Sequence, residues 1–122
     1  MPQNIAGQVL TYNPSQGSAA FANGLDVLDG TAITATDYVE IVCGFKPKYV
    51  KWENLTDRVC GEFYEGMAAN SCVKTAANGT RTLEIGGGNG GITLTNNGFR
   101  VLQNATLGLV LASRTCAWRV HA

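Results

Sequence analysis

The stretch Tyr49-Val50-Lys51-Trp52-Glu53-Asn54 decides the fold class, because apolar and polar side chains alternate through it. In an extended chain, Val50 and Trp52 point to one side, and Lys51 and Glu53 point to the other. Alternation with a period of two residues is typical of a half-buried β-strand. We therefore expect this segment to lie in a sheet whose core side carries Trp52.

The same pattern recurs along most of the chain. From Thr31 onward, short alternating segments are separated by Gly, Asn, Asp or Pro, which favour turns. No segment shows a convincing amphipathic helix pattern. Many short strands with frequent turns predict an all-β fold, either an antiparallel β-sandwich or a jelly roll. The expected strands are residues 38–43, 49–54, 61–65, 71–75, 80–85, 92–95, 99–102, 107–112 and 115–121.

The N-terminal segment has a different character. The whole chain has 122 residues and a mass of 12.9 kDa, enough for one hydrophobic core. Residues 1–25 contain few large apolar side chains and a cluster of turn-forming residues at 13–18. We therefore predict an extended N-terminal arm with one edge strand at residues 1–25, followed by a single β-sandwich domain at residues 26–122.

Composition argues against several classes of protein. Nine basic and nine acidic residues give a formal net charge of zero, so no overall positive field would attract nucleic acid. The longest apolar run, residues 107–112, is far too short to span a membrane. The first residues lack the pattern of a secretion signal, so we expect folding in the compartment of synthesis, with thiols initially reduced. Charged residues are only 15% of the chain, which favours a surface partly covered by a partner.

Charge is unevenly distributed along the sequence. Residues 1–45 contain four acidic residues and no Lys or Arg, whereas residues 46–122 contain nine basic and five acidic residues. One interpretation is pairing within the chain. The other is that the acidic segment contacts a basic surface on a neighbouring subunit.

The sequence offers weak candidates for catalysis. The loop at residues 86–91 is rich in Gly but lacks the Lys-Ser/Thr of a phosphate-binding loop. His121 is the single histidine and is next to the last residue of this sequence, a poor position for a catalytic triad. Glu62 and Glu65 could form a carboxylate pair, but residues beside a tight turn are usually exposed and ordinary. We expect no catalytic residue, no cofactor and no enzyme activity.

Metal binding is also poorly supported. Asp26 and Asp29 lack the regular ligand spacing of a calcium loop, and the four cysteines show no zinc-type spacing. A hairpin centred at Met67 or one residue earlier would place Cys60 and Cys72 opposite, or nearly opposite, each other. We therefore predict no metal site, and a disulfide between Cys60 and Cys72 in an oxidising medium. The other two thiols, Cys43 and Cys116, fall on the core-facing sides of their predicted strands.

Aromatic residues have two possible roles. The aromatic candidates for a sugar-binding platform are Trp52, Tyr49, Phe63, Tyr64 and Trp118. Trp52 and Trp118 lie on the apolar faces of their strands and are expected in the core instead, whereas Tyr49 and Tyr64 are the candidates left for exposure.

Three sequence blocks resemble small virion proteins of tailed bacteriophages. They are GFKPKYVKWEN at residues 44–54, EFYEGMA at residues 62–68 and KTAANGTRTLE at residues 74–84. The shared pattern is a G-F-x-P-x-x-V strand, an aromatic hairpin ending in Gly-Met, and a K-T-x-x-x-G-T-R-T-L segment. The resemblance covers about a third of the chain and includes no catalytic motif.

The resemblance implies a structural role in the virion. The most direct expectation is a capsid decoration or cement protein, made in the host bacterial cytoplasm, that binds assembled major capsid protein on the capsid surface. Self-association is expected, with a trimer favoured over a dimer, and no nucleic acid or membrane is expected as a partner. The candidate contacts with capsid or subunit lie in the arm, the hairpin tip and the Gly-rich loop: Val9, Leu10, Tyr12, Gly66, Met67, Gly88 and Asn89.

The alternative is a receptor- or carbohydrate-binding module at the tail or fibre tip. That function predicts that Tyr49 and Tyr64 are exposed. It also predicts affinity for glycans or cell surfaces without capsid.

Overall fold

The fold is given by a computed structural model, which describes residues 8–14, 21–34, 37–85, 91–103 and 107–122. These residues form an all-β structure of ten strands with antiparallel pairing. The strands are β1 Gln8–Pro14, β2 Phe21–Leu28, β3 Tyr38–Val42, β4 Tyr49–Asn54, β5 Val59–Tyr64, β6 Cys72–Thr75, β7 Arg81–Glu84, β8 Gly91–Thr95, β9 Gly98–Leu102 and β10 Thr115–His121.

The strands form two sheets. The larger sheet has seven strands in the order β1-β2-β10-β4-β5-β6-β7, and the smaller has three in the order β3-β9-β8. Buried side chains from both sheets form one hydrophobic cluster, as in a β-sandwich. The predicted antiparallel sandwich is confirmed.

Aromatic side chains occupy the centre of the core. Trp52 is fully buried, and its indole Nε1 donates a hydrogen bond of 2.8 Å to the carbonyl oxygen of Leu109. Phe99, from the smaller sheet, meets Trp52 and Trp118 edge to face, with ring centroids 6.2 and 5.6 Å apart. The core positions expected for both tryptophans are confirmed. So are the inward positions of two thiols, Cys43 and Cys116.

The strand expected at residues 107–112 is wrong. This segment forms turns and irregular chain, and three of its apolar side chains belong to the core cluster. Leu107, Leu109 and Val110 are all buried, a spacing that a strand with alternating faces does not produce. Gly108 between them has a φ of 70°, which leaves the extended conformation.

The N-terminal segment contributes an edge strand, as expected. β1 pairs with β2, and β2 pairs on its other side with β10. β2 therefore runs across the boundary that the sequence suggests between residues 25 and 26. Its Ala22 and Leu28 are both buried in the sandwich core.

The register of the β5–β6 hairpin differs from the expected one. Cys60 lies opposite Thr75 rather than near Cys72. Cys72 is fully buried beside Gly61, whereas Cys60 alternates to the other face of the sheet. Both thiols are free in the structure, so the geometric basis for the predicted disulfide is wrong.

This register predicts the outcome of thiol labelling. Protein unfolded without reductant and treated with iodoacetamide should carry four adducts by intact mass, because no pair of cysteines is bridged. A reduced sample labelled in the same way is the control. A population with two adducts only in the unreduced sample would contradict this prediction.

The acidic residues of segment 1–45 make contacts within the chain. Glu40 pairs with Arg100 at 2.5 Å across the β3–β9 ladder. Asp37 is buried and accepts hydrogen bonds from the backbone N–H and the hydroxyl of Thr34. Asp26 is fully buried in β2. These contacts favour the interpretation of pairing within the chain over an acidic docking segment.

Candidate functional site

The candidate site is the outer face of the seven-stranded sheet, which is the side turned away from the core. In β4 the core side carries Val50 and Trp52, so Tyr49, Lys51 and Glu53 lie on the outer face. Register then identifies their cross-strand neighbours. The result is a series of side-chain rows that cross the sheet.

An aromatic row crosses four adjacent strands at one end of this face. It consists of Phe21, His121, Tyr49 and Tyr64, which the register places directly opposite one another in turn. The His121 and Tyr49 rings are stacked, with centroids 4.8 Å apart and an interplanar angle of 26°. The Tyr49 and Tyr64 rings are tilted, with centroids 5.3 Å apart. Ring contacts order His121, Tyr49 and Tyr64, which come from distant parts of the sequence, and register places Phe21 beside His121.

Exposure varies along the aromatic row. Phe21 at one end is 50% exposed and Tyr64 at the other end is 47% exposed. Tyr49 is half-buried because it lies between His121 and Tyr64. His121 is exposed as well, so Tyr49 is the one member of the row that its neighbours cover, and the rings of Phe21 and Tyr64 are open at the two ends.

A polar row runs beside the aromatic row. Arg119 lies opposite Lys51, and Lys51 lies opposite Glu62. Glu62 accepts a hydrogen bond of 2.6 Å from the Tyr49 hydroxyl and an ion pair of 3.3 Å from Arg81. The carboxylate of Glu62 is thereby occupied by partners within the sheet.

Arg119 and Lys51 form what we name the cationic pair. Like charges directly opposite each other across two strands are destabilising. Among the described residues, neither side chain forms an ion pair with a carboxylate. Glu53, one row further along, is the acidic outer-face residue of the same strand. An anionic group from another molecule would relieve the repulsion within the cationic pair.

The hydroxyl of Tyr49 links the two rows. Burial raises the pKa of Tyr49 to about 12, the carboxylate of Glu62 adds to this effect, and Arg119 opposes it. Tyr49 therefore remains protonated and donates to Glu62 at physiological pH. This contact fixes the ring against His121 and keeps the aromatic row in place.

A second feature is a cleft near the β5–β6 connection. Its volume is about 230 Å³, and its lining includes Phe63, Met67 and Leu94, with Lys46 and Glu65 providing opposite charges. Met67 is partly buried against the core, and its sulfur accepts a hydrogen bond of 3.3 Å from the backbone N–H of Tyr64. The cleft can accommodate an apolar side chain from a partner.

The contacts predicted from the sequence lie in different places. Three of them are in β1 at one edge of the large sheet: Val9, Leu10 and Tyr12, opposite residues 27, 26 and 24 of β2. Gly66 and Met67 line the cleft after β5, which three strands separate from β1 in the sheet. The structure does not bring these two groups together. Gly88 and Asn89 lie outside the described residues.

The described residues also bear on metal binding and on membrane-spanning segments. Asp26 is buried within a strand, and Asp29 accepts a hydrogen bond from the backbone N–H of Thr31. In the described ranges, no group of three His, Cys, Asp or Glu side chains is placed to hold a metal ion. The same ranges contain no helix with the length and apolarity needed to cross a membrane.

Only half of the aromatic row is predictable from the sequence. Tyr49 and Tyr64 lie on either side of one hairpin, on the polar faces of their strands. Phe21 and His121 had no local signal, because the pairing of β10 with both β2 and β4 is not written in either segment alone.

No protein-family model, no curated protein and no solved structure matches this chain. The outer face and the cleft are therefore the basis on which a function can be proposed.

Proposed function

We propose that this chain is a non-enzymatic virion protein of a tailed bacteriophage that decorates and stabilises the capsid. Its partner is assembled major capsid protein, and its location is the capsid surface. The contact surface is the outer face, through the cationic pair and the exposed ends of the aromatic row.

The observation that carries this proposal is the cationic pair beside the aromatic row. Arg119 and Lys51 lack carboxylate partners among the described residues, and Phe21 and Tyr64 expose apolar surface next to them. Aromatic residues and Arg are enriched where proteins dock, and complementary charges set the orientation of the partner. A capsid surface with exposed carboxylates has the matching chemistry.

The resemblance to small phage virion proteins supports the same surface. The resembling blocks extend over residues 44–84, which form β4 to β7 in the structure. These strands supply Tyr49, Lys51, Glu62 and Tyr64 to the outer face. β1 and the cleft are additional candidate contacts, since repeated binding over a shell adds avidity from several modest contacts.

Reversing one charge tests the surface. Lys51→Glu is expected to weaken binding to capsid shells that lack the protein by about tenfold or more, equivalent to about 1.4 kcal/mol. The measurement is cosedimentation over a range of protein concentrations at two salt concentrations. Binding of the wild-type protein should saturate at a fixed ratio to capsid subunits and weaken at the higher salt.

Arg58→Glu is the matched control, because it makes the same change in net charge at an exposed position in the turn between β4 and β5, outside the cationic pair, the aromatic row and the cleft. Equal loss of binding in both variants would indicate a general charge effect and contradict the assignment to the outer face. Absence of wild-type binding would overturn the capsid role.

One observation favours the alternative, a glycan-binding module at the tail. Tyr64 is exposed, as that function requires, but the Tyr49 ring is covered by its two neighbours, His121 and Tyr64. This function predicts retention on immobilised glycans or host cells that Tyr64→Ala abolishes. Under this alternative, neither the wild-type protein nor Tyr64→Ala binds capsid shells.

A further inference from the structure

The last strand of the large sheet, β7, extends beyond the sandwich. Leu83 is 61% exposed and the following Ile85 is 59% exposed, the two highest values among the large apolar residues of the described chain. Thr82, which alternates to the inner side, is exposed as well. Both sides of β7 are therefore largely open, and among the described strands it pairs only with β6. We name residues 81–85 the β7 edge.

The hydrogen-bond pattern shows which backbone groups point outward. At the turn, Ala76 N–H donates to the carbonyl of Thr80 at 2.9 Å, so these two residues form a hydrogen-bonded pair. Bonded and non-bonded pairs alternate along an antiparallel ladder. Thr82 and Glu84 are therefore bonded to β6. Arg81, Leu83 and Ile85 alternate with these two residues, so their backbone N–H and C=O groups point away from β6 and out of the sheet edge.

We propose that the β7 edge pairs antiparallel with the β7 edge of a second copy of this chain. The two-fold axis lies perpendicular to the sheet and passes beside Leu83, so that Leu83 lies opposite Leu83 of the other copy. The outward backbone groups of Arg81 then face those of Ile85 of the other copy. The two large sheets become one continuous sheet, in which Leu83 is shielded by Leu83 of the other copy and Ile85 by the aliphatic part of Arg81 of the other copy.

The charges of the β7 edge are compatible with this self-pairing. Arg81 is already neutralised by Glu62 of its own chain. The same register places Thr82 opposite Glu84 of the second copy, where the hydroxyl can donate to the carboxylate. Residues 81–85 contain no Lys or Pro, two residues that commonly protect an edge strand. The two charged residues, Arg81 and Glu84, fall opposite Ile85 and Thr82 of the second copy in this register, so no like charges meet across the axis. The two exposed apolar residues can therefore be covered by a partner strand without a charge conflict.

Oligomeric state tests this proposal. Sedimentation equilibrium of the wild-type protein should give twice the 12.9 kDa chain mass. Leu83→Lys places two ammonium groups next to each other at the axis and should reduce the mass to that of one chain at the same concentration. Leu25→Lys is the matched control, because Leu25 is 42% exposed on the outer face at the other end of the sheet order. This variant should remain a dimer.

Amide hydrogen exchange gives a second readout. The N–H groups of Leu83 and Ile85 should exchange more slowly as protein concentration rises, and this dependence should be lost in Leu83→Lys. A wild-type monomer, or an oligomer that Leu83→Lys leaves intact, would overturn the proposal. Capsid binding is measured separately, so a dimer that fails to bind capsid would overturn the proposed function and leave this inference standing.

Discussion

Trp52→Ala is expected to lower the free energy of unfolding by about 3–5 kcal/mol, the usual cost of removing a fully buried Trp side chain. The indole is in the centre of the sandwich, where it meets Phe99 edge to face. Its removal leaves a cavity between two sheets whose backbones are fixed by ladders, so collapse can fill little of it. Urea unfolding followed by circular dichroism measures the change.

Trp52→Phe separates packing from hydrogen bonding. This variant keeps an aromatic ring but removes the 2.8 Å donor to the carbonyl of Leu109, which then keeps only the weak Cys116 thiol at 3.7 Å, at a cost of about 1–3 kcal/mol. Leu55→Ala at an exposed turn position is the control, since surface substitutions usually stay within about 0.5 kcal/mol. If Trp52→Ala destabilised the protein no more than Leu55→Ala does, the assignment of Trp52 to the centre of the core would be wrong.

Stability should fall as pH rises from about 4 to 7. Burial raises the pKa of Asp26 from 3.8 to about 7, so in this range the folded state holds a proton that the unfolded state has released. A group whose folded pKa is raised is stabilising below the unfolded pKa, and this contribution is lost as pH increases towards the folded pKa. The expected total loss is about 2–4 kcal/mol, since each pH unit contributes about 1.4 kcal/mol.

Asp26→Asn removes this titration. The variant should be more stable than the wild type at pH 8, and its stability should change little between pH 5 and 8. The neighbouring Cys116 thiol does not interfere, because burial raises its pKa to about 12. Thermal unfolding at four pH values measures both proteins, and Asp29→Asn at an exposed position is the control. A wild-type stability that rises between pH 5 and 7 would have the wrong sign for this explanation.

Asp57 provides a contrast of opposite sign. Arg114 lowers its pKa through an ion pair of 2.7 Å, and Asn54 adds a hydrogen bond. Its contribution is therefore present above the unfolded pKa and is lost as pH falls into the acid range. The two effects occupy different pH windows and can be separated in one titration.

The fold class was predictable because alternation is a local property. In β4 every second residue is buried, so the sequence alone identifies the core side and places Trp52 there. The strand predicted at residues 107–112 was wrong, although the apolar side chains there favour one. Successive residues Leu109 and Val110 are both buried there because the chain turns at Gly108, and turns of this kind depend on the surrounding core.

The register expected for the β5–β6 hairpin was wrong because contacts with the other sheet determine it. Asn70 donates its N–H to the carbonyl of Ile92, and Ile92 donates to Ser71, so the connection is held by β8 of the other sheet. A hairpin considered alone cannot show that constraint, and Cys60 consequently lies opposite Thr75. The side-chain rows of the outer face could not be predicted for a related reason. They depend on strands that are neighbours in space but not in sequence.

The position of β10 has a consequence for synthesis. This strand lies between β2 and β4, and its Trp118 pairs with both Gly24 and Trp52. While residues 115–121 are still within the ribosome, the nascent chain has two strand edges with no neighbour to complete them. Such non-local pairing slows folding, and open edges invite association between chains. The sheet can therefore close only after these residues have emerged, so chaperones that hold nascent chains have their greatest opportunity to act on this protein in that interval.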